Sequence, residues 1–156
     1  MAYFDWDSSL DIGVDLIDSQ HRRIMDYVND LHEAIQNNDQ ELVFDVMERL
    51  KDYTFDHFAF EEQLMEKAGY PLLEPHIQVH HRFCSRVDEL NELLRTGSDP
   101  FGVARKTRND LTRWLIEHIK QEDHNYAALV RKALRQESSW VSGALRKIFG
   151  TDQKAS

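Results

Sequence analysis

Five histidines and two carboxylates fall on the inward stripes of four segments whose apolar residues recur at helical spacing: His21, then His57 with Glu61, then His76 with His80, then His118 with Asp123. An isolated histidine on an apolar helix face is ordinarily a hydrogen-bonded core residue. Donors converging from four segments are a different matter, because a bundle closed around them would enclose unpartnered polar groups at its centre. The economical expectation is a metal site. It also constrains the fold, since the four segments must pack with these stripes facing one another.

The first stripe runs Ile17, His21, Ile24, Val28, Leu31 and Ile35 in steps of three and four, and ends at Asn37-Asn38-Asp39. The second carries Val43, Met47, Leu50, Thr54, His57, Glu61, Leu64 and Ala68 and stops at Gly69-Tyr70-Pro71. The third begins near Pro75, runs His76, His80, Phe83, Val87, Leu90 and Leu94, and breaks at Gly97. Ser98-Asp99-Pro100 caps the fourth, whose broad inner face includes Leu111, Trp114, Leu115, His118, Ile119, Tyr126 and Leu129 and which extends to about Arg135. Helices joined by such short connections predict an all-α, up-down-up-down four-helix bundle, a fold that builds metal sites from side chains on facing helices.

Two segments flank the bundle. Residues 1 to about 16 hold Tyr3, Phe4, Trp6 and Gly13 without helical periodicity, which predicts an N-terminal aromatic arm laid over the helices. The bundle is thus expected over residues 1–135, with 136–156 as a C-terminal amphipathic extension and tail. There Trp140, Val141, Ala144, Leu145, Ile148 and Phe149 share one face. A fifth helix packed on the bundle is expected; the alternative is an interface helix, with residues 138–149 meeting a protein or a membrane surface.

The chain has 156 residues, of which 41% are apolar, enough for one domain with a real core. Its net charge of -9 argues against nucleic acid as a partner, because phosphate binding needs a clustered excess of Lys and Arg. With Cys84 as the only cysteine, neither an intramolecular disulfide nor a thiolate zinc cluster can form, and it is expected to be a small buried hydrophobe, with redox sensing the alternative. No basic region followed by an apolar run opens the chain, and no stretch approaches a membrane span, so a cytoplasmic monomer is expected.

His57 and Glu61 are four residues apart, as are His76 and His80, so each pair points to one spot from one helix face. His118 and Asp123 are five apart, about 140° out of line on a regular helix. Either they occupy opposite edges of a broad face or the helix loosens locally into a π-type turn. Seven ligands exceed what one tetrahedral zinc can use, whereas imidazole with carboxylate suits six-coordinate iron or manganese. Two such ions sharing both carboxylates and one oxygen bridge would be filled by five histidines except at a single position, on whichever ion holds two histidines.

In order and spacing this constellation resembles the hemerythrins, and the surrounding residues sharpen the likeness to the family's single-domain bacterial type. Trp6, Gly13 and Ile17-Asp18-Ser19-Gln20-His21 resemble the family's N-terminal signature. His57 to Glu62, Met65, Tyr70-Pro71, His76, His80 and Phe83 resemble its central one, and His118 to Asp123 with Tyr126 the last. The resemblance covers roughly residues 3 to 134. It implies two Fe ions (Fe2+/Fe3+) bridged by Glu61, Asp123 and an oxo or hydroxo group. His76, His80 and His118 would complete one iron, and His21 and His57 the other, which stays open to O2. No protein acid is required in the family, so an apolar pocket suffices. Ile24, Phe58, Trp114, Leu115 and Ile119, on helix faces adjoining the ligands, would form it while also packing the core. Tyr126 is expected to pack or to hydrogen-bond a ligand. His32, His81 and His124 are left over, His32 toward the bundle end and the others each beside a ligand and turned elsewhere. The spacing between His80 and His118 and the added C-terminal segment depart from the short hemerythrins without touching the site.

Three functions compete for such a site. A reversible O2 binder for storage, delivery or buffering is expected, and not an enzyme: bundle-type di-iron oxygenases usually supply four carboxylates and two Glu-x-x-His pairs, whereas this donor set is rich in histidine. The alternatives are a di-iron enzyme acting on peroxide or nitrogen oxides, and an O2 or redox sensor acting through a partner.

Overall fold

The computed structural model describes residues 3–150, and among them every regular element is helical. A 3-10 turn at Ser8–Leu10 precedes α1 (Asp15–Gln36), α2 (Gln40–Ala68), α3 (Leu73–Arg95) and α4 (Pro100–His118). The chain then passes without a break in helical backbone angles through a π-helical turn, Ile119–Asp123, into α5 (His124–Gln136). A last helix, α6 (Val141–Phe149), follows a short connection. No helix among the described residues is long and apolar enough to cross a membrane.

Local chemistry sets most of the ends. Asp39 and Asp99 accept from Leu42 N and Phe101 N at the starts of α2 and α4, satisfying otherwise orphaned donors, and Pro100 takes the first helical position. At the end of α2, Gly69 adopts φ 71°, and the Tyr70 amide reaches back to the Met65 carbonyl at 3.0 Å. The third helix starts at Leu73, two residues before the expected Pro75, which lies within its first turn.

One apolar cluster fixes the topology. Leu31 and Ala34 from the end of α1 meet Val43, Val46 and Met47 from the start of α2, Leu90 and Leu94 from the end of α3, and Val103 and Ala104 from the start of α4. Ends and starts alternate around the cluster, so neighbouring helices run antiparallel, as the sequence predicts. The larger cluster fills the rest of the bundle and includes Leu10 and Ile12 from the arm and Val141 and Ala144 from α6. The aromatic face of α6 is spent on α2: Phe149 lies 5.4 Å from the Tyr53 ring and 6.1 Å from the Phe60 ring. Of the two readings offered for this segment, the structure has the packed fifth helix.

The arm is tied to the bundle by polar contacts. Asn29 both donates to and accepts from the Phe4 backbone, Trp6 Nε1 donates to Asp11, and the buried Asp18 carboxylate accepts from Ile12 N and Gly13 N at 2.8 and 3.1 Å. Gly13 sits at φ 85°, and a Cβ there would stand 2.7 Å from Arg131 Nη1, the group that donates to the Ile12 carbonyl.

The sequence reading misplaces Leu129. It is 38% exposed, while Ala127 and Val130 are buried in its stead. The π turn supplies the reason, since one extra residue per turn rotates everything downstream by about 100° relative to an uninterrupted helix.

Gly13→Ala is expected to destabilise the protein by about 1–3 kcal/mol, because alanine is strained at positive φ and its methyl displaces the Arg131 contact. Gly143, inside α6 with open space around it, should behave oppositely, Gly143→Ala stabilising by about 0.4–1 kcal/mol. Chemical denaturation midpoints of the two variants check both signs.

Candidate metal centre

Each of the two buried carboxylates divides its oxygens between two sets of imidazoles. On one side Glu61 Oε1 lies 2.9 Å from His80 Nε2 and 3.1 Å from His76 Nε2. Asp123 Oδ1 faces the same side, 3.1 Å from both His76 Nε2 and His118 Nε2. On the other side Glu61 Oε2 is 3.3 Å from His57 Nε2 and 3.7 Å from His21 Nε2, and Asp123 Oδ2 is 3.2 Å from His21 Nε2. All seven side chains are at most 3% exposed. The first group is compact as a set of five, and the second is tightest among His21, His57 and Glu61, with Asp123 reaching in through His21.

The π turn makes this possible. A regular helix would swing Asp123 well away from His118; the wider turn over Ile119–Asp123 returns both to one face, 3.1 Å apart. Of the two geometries left open by the sequence, the structure has the π turn.

Hydrogen bonding among the donors does not satisfy them. Both nitrogens of His21, Nε2 of His57 and both oxygens of Asp123 are buried without a hydrogen-bond partner, and His80 Nε2 and His118 Nε2 aim at each other across 3.1 Å. Native interiors rarely leave polar atoms so. Neighbouring donors on a six-coordinate ion with bonds of about 2.1 Å sit about 3 Å apart, which is the spacing found on both sides. The donor set therefore fits two metal ions bridged by Glu61 and Asp123.

The ligand rings are held from behind. His57 Nδ1 pairs with Gln20 Oε1 at 2.7 Å and His80 Nδ1 with Glu62 Oε2 at 2.8 Å, while His118 Nδ1 lies 3.4 Å from Glu122 Oε1 without a hydrogen bond. Tyr126 Oη donates to Glu61 Oε2 at 2.9 Å. Gln20, Glu62 and Glu122 are the functional residues that stripe reasoning overlooks. Each adjoins a ligand in sequence and so points about 100° off the stripe, and Gln20 and Glu62 support a ligand belonging to the next helix.

The expected pocket residues gather around this centre. Phe58 stacks on His80 with ring centroids 3.9 Å apart and also approaches His57 at 5.7 Å, so it touches both halves. Trp114 stacks on His118 at 4.5 Å and is covered in turn by Phe83 at 4.0 Å, placing it against the three-histidine half. Ile24, Leu115 and Ile119 are buried in the same apolar cluster. His81 and His124 are exposed, and His32 is occupied by Arg108 Nη1 at 2.9 Å, all three away from the donors. Cys84 is only half-buried against the core, its thiol pushed up to about 12 by burial and by Asp88 and Glu62.

The two carboxylates also set the proton affinities of the surrounding rings. Burial alone would lower His21 and His76, but their contacts with Asp123 and Glu61 raise them from 6.5 to about 9 and about 10. His80 is raised in the same way by Glu61 and Glu62, while burial prevails at His57 and lowers it. Burial works against the charged form of Glu61 and Asp123 too, yet the surrounding imidazoles hold both carboxylates below their ordinary range.

The hemerythrin HHE cation-binding domain model matches residues 12–130. The bacteriohemerythrin of Stenotrophomonas maltophilia is 40% identical, over 96% of this chain and all of that protein. The chain belongs to the hemerythrin family. Bacteriohemerythrin of Pseudomonas aeruginosa is 37% identical over the same share of both chains, and myohemerythrin of Theromyzon tessulatum 25% identical over 79% of this chain and 90% of its own. A crystal structure of wild-type hemerythrin superposes with a TM-score of 0.73 at 26% identity, covering 83% of this chain and 98% of that one. The matches to the two bacterial proteins extend over nearly the whole hemerythrin-family chain, while the family model ends before α6.

Glu61→Ala is expected to abolish metal loading on both sides at once, because both ions share that carboxylate, whereas His32→Ala leaves loading intact. Metal analysis of the two purified variants checks this, and equal losses would show the donors misassigned. The chelated protein should also lose stability as pH rises. His21 and His76 hold their protons more tightly folded than unfolded, a contribution complete below about 6.5 and lost as pH climbs through about 9 and about 10. Glu61 and Asp123 contribute in the opposite sense, above their ordinary 4.5 and 3.8, and lose it on acidification. Denaturation midpoints between pH 5 and pH 10, with and without chelator, should show the alkaline fall in the chelated sample only, since metal binding displaces those protons.

Proposed function

We propose that this hemerythrin-family chain binds dioxygen reversibly at a non-haem pair of iron ions, for storage, delivery or buffering of the gas. The observation that carries the reading is the division of Glu61 and Asp123 between three imidazoles on one side and two on the other. His76, His80 and His118 would hold one iron, His21 and His57 the second, with Glu61, Asp123 and an oxo or hydroxo group as bridges. An iron pair so held supplies electrons to dioxygen on binding and recovers them on release. The two-histidine side offers fewer protein donors, so an iron held there would keep a position for the gas.

The rest is the work of the chain's own side chains. Gln20 and Glu62 fix the tautomer and orientation of His57 and His80, so the nitrogens that face the carboxylates are free of protons when a metal is held. Tyr126 holds Glu61 in its bridging pose and is itself raised far above its ordinary range by burial and by the Glu61 and Asp123 charges, so it stays a donor and releases no proton. Ile24, Phe58, Trp114, Leu115 and Ile119 exclude water and proton donors. We read the chain as a binder and not an oxygenase because its five imidazoles and two carboxylates contrast with the carboxylate-rich donor set of bundle oxygenases. We read it further as cytoplasmic, and as a monomer, the latter since α6 lays its aromatic face on α2 and leaves it unavailable to a second copy.

The reading is tested by optical titration of the iron-loaded protein from anaerobic to air-saturated buffer, followed by removal of O2. A spectrum that appears with O2 and reverts on its removal is expected; irreversible oxidation in the first cycle contradicts it. Leu115→Asn should shorten the life of the oxygenated state, because an amide in the apolar layer admits water. Leu115→Ala controls for lost packing, which costs about 2–5 kcal/mol by itself. If the asparagine variant decays no faster than wild type, the apolar wall is not what protects the bound gas.

A further inference from the structure

Thr54 is 1% exposed, and its hydroxyl oxygen has no hydrogen-bond partner. A threonine in a helix commonly satisfies its hydroxyl on the carbonyl one turn earlier. Thr96, Thr107 and Thr112 do so, on Glu92, Val103 and Arg108 at 2.9, 2.9 and 2.7 Å. Thr54, buried as deeply as the metal donors, does not. Its hydroxyl is left unpaired in the core, which is costly.

Its level in the bundle gives the hydroxyl a partner. Thr54 lies one turn before His57 and Phe58 on the core-facing stripe of α2. The antiparallel pair α1 and α2 sets His21 against His57 and Tyr27 against Tyr53, with ring centroids 4.7 and 5.8 Å apart, a register that brings Thr54 level with Ile24. Phe58 meets Trp114 at 5.8 Å, which brings Leu111 and Leu115 to the same neighbourhood. These neighbours are buried and apolar, which leaves Thr54 a polar side chain among them beside the two-histidine side.

We propose that the Thr54 hydroxyl donates a hydrogen bond to the small ligand that occupies this layer, making Thr54 a ligand-binding residue of the site. The proposal rests on the O2-binding reading above and adds to it a specific polar contact. A ligand that gains negative charge on binding is stabilised by a donor in a dry, low-dielectric layer. An aliphatic hydroxyl is a suitable donor because it is far too weak an acid to give up its proton. It also lacks the bulk and the second polar atom by which an asparagine at Leu115 would bring in water.

Azide, an anion whose terminal nitrogen accepts hydrogen bonds, serves as the probe beside O2. Thr54→Val and Thr54→Ala remove the hydroxyl and Thr54→Ser keeps it. In the diferric protein the infrared stretch of bound azide should shift in the valine and alanine variants and return to the wild-type position in the serine variant. O2 should leave the first two about three to ten times faster, the loss of one hydrogen bond. In the iron-free proteins, Thr54→Val should unfold at higher denaturant than wild type, because it removes an unpaired buried hydroxyl without changing shape. An unmoved azide stretch in both hydroxyl-free variants overturns the proposal, and so does a less stable Thr54→Val, which would mean that the hydroxyl is satisfied within the helix. If one hydroxyl-free variant fails to fold, the other carries the test. Wild-type protein that takes up no iron or no azide would instead overturn the reading of the site itself.

Discussion

Burying two carboxylates so that each presents one oxygen to either side is the constraint from which the rest of the structure follows. Glu61 and Asp123 are fully enclosed, and isolated buried charges are prohibitively costly unless they are paired or bind metal. Five imidazoles surround them, yet the hydrogen bonds among these groups leave both nitrogens of His21, Nε2 of His57 and both oxygens of Asp123 without a partner. Two cations satisfy both requirements. The same requirement then fixes the helix register, because His21 and His57 must meet across α1 and α2 while His80 and His118 meet across α3 and α4.

The bundle accepts this polar centre by surrounding it with apolar layers and by distorting one helix. The π turn at Ile119–Asp123 is the local concession: it aligns His118 with Asp123, and it turns Leu129 out to solvent. Hydrogen-bonded supports then hold three of the ligand side chains in one pose. Tyr126 holds Glu61, Gln20 holds His57, and Glu62 holds His80, each from an element other than the one it supports or from beside a neighbouring ligand.

Much of this was legible in the sequence because the ligands lie on the same stripes as the apolar core. His57 with Glu61 and His76 with His80 share a face by spacing alone, and the apolar residues at three and four steps fix which face that is. The caps were equally plain at Asp39, Gly69 and Asp99-Pro100. The five-residue step from His118 to Asp123 announced an irregularity but not its form, since periodicity carries no information about which hydrogen-bond pattern resolves a mismatch. Gln20, Glu62 and Glu122 were hidden because each sits beside a ligand in sequence and so off its own stripe, and Gln20 and Glu62 moreover support a ligand on another helix. Thr54 was counted as core, and only its missing hydrogen bond distinguishes it from Leu50 and Leu64 on the same face.

The central claim is that one chain holds two iron ions through shared carboxylates, and stoichiometric iron titration tests it most directly. Metal-free protein titrated anaerobically with ferrous iron should saturate at two ions per chain. Saturation at one ion, or at two that fill in separate, independent steps, would contradict the shared bridges on which the account depends.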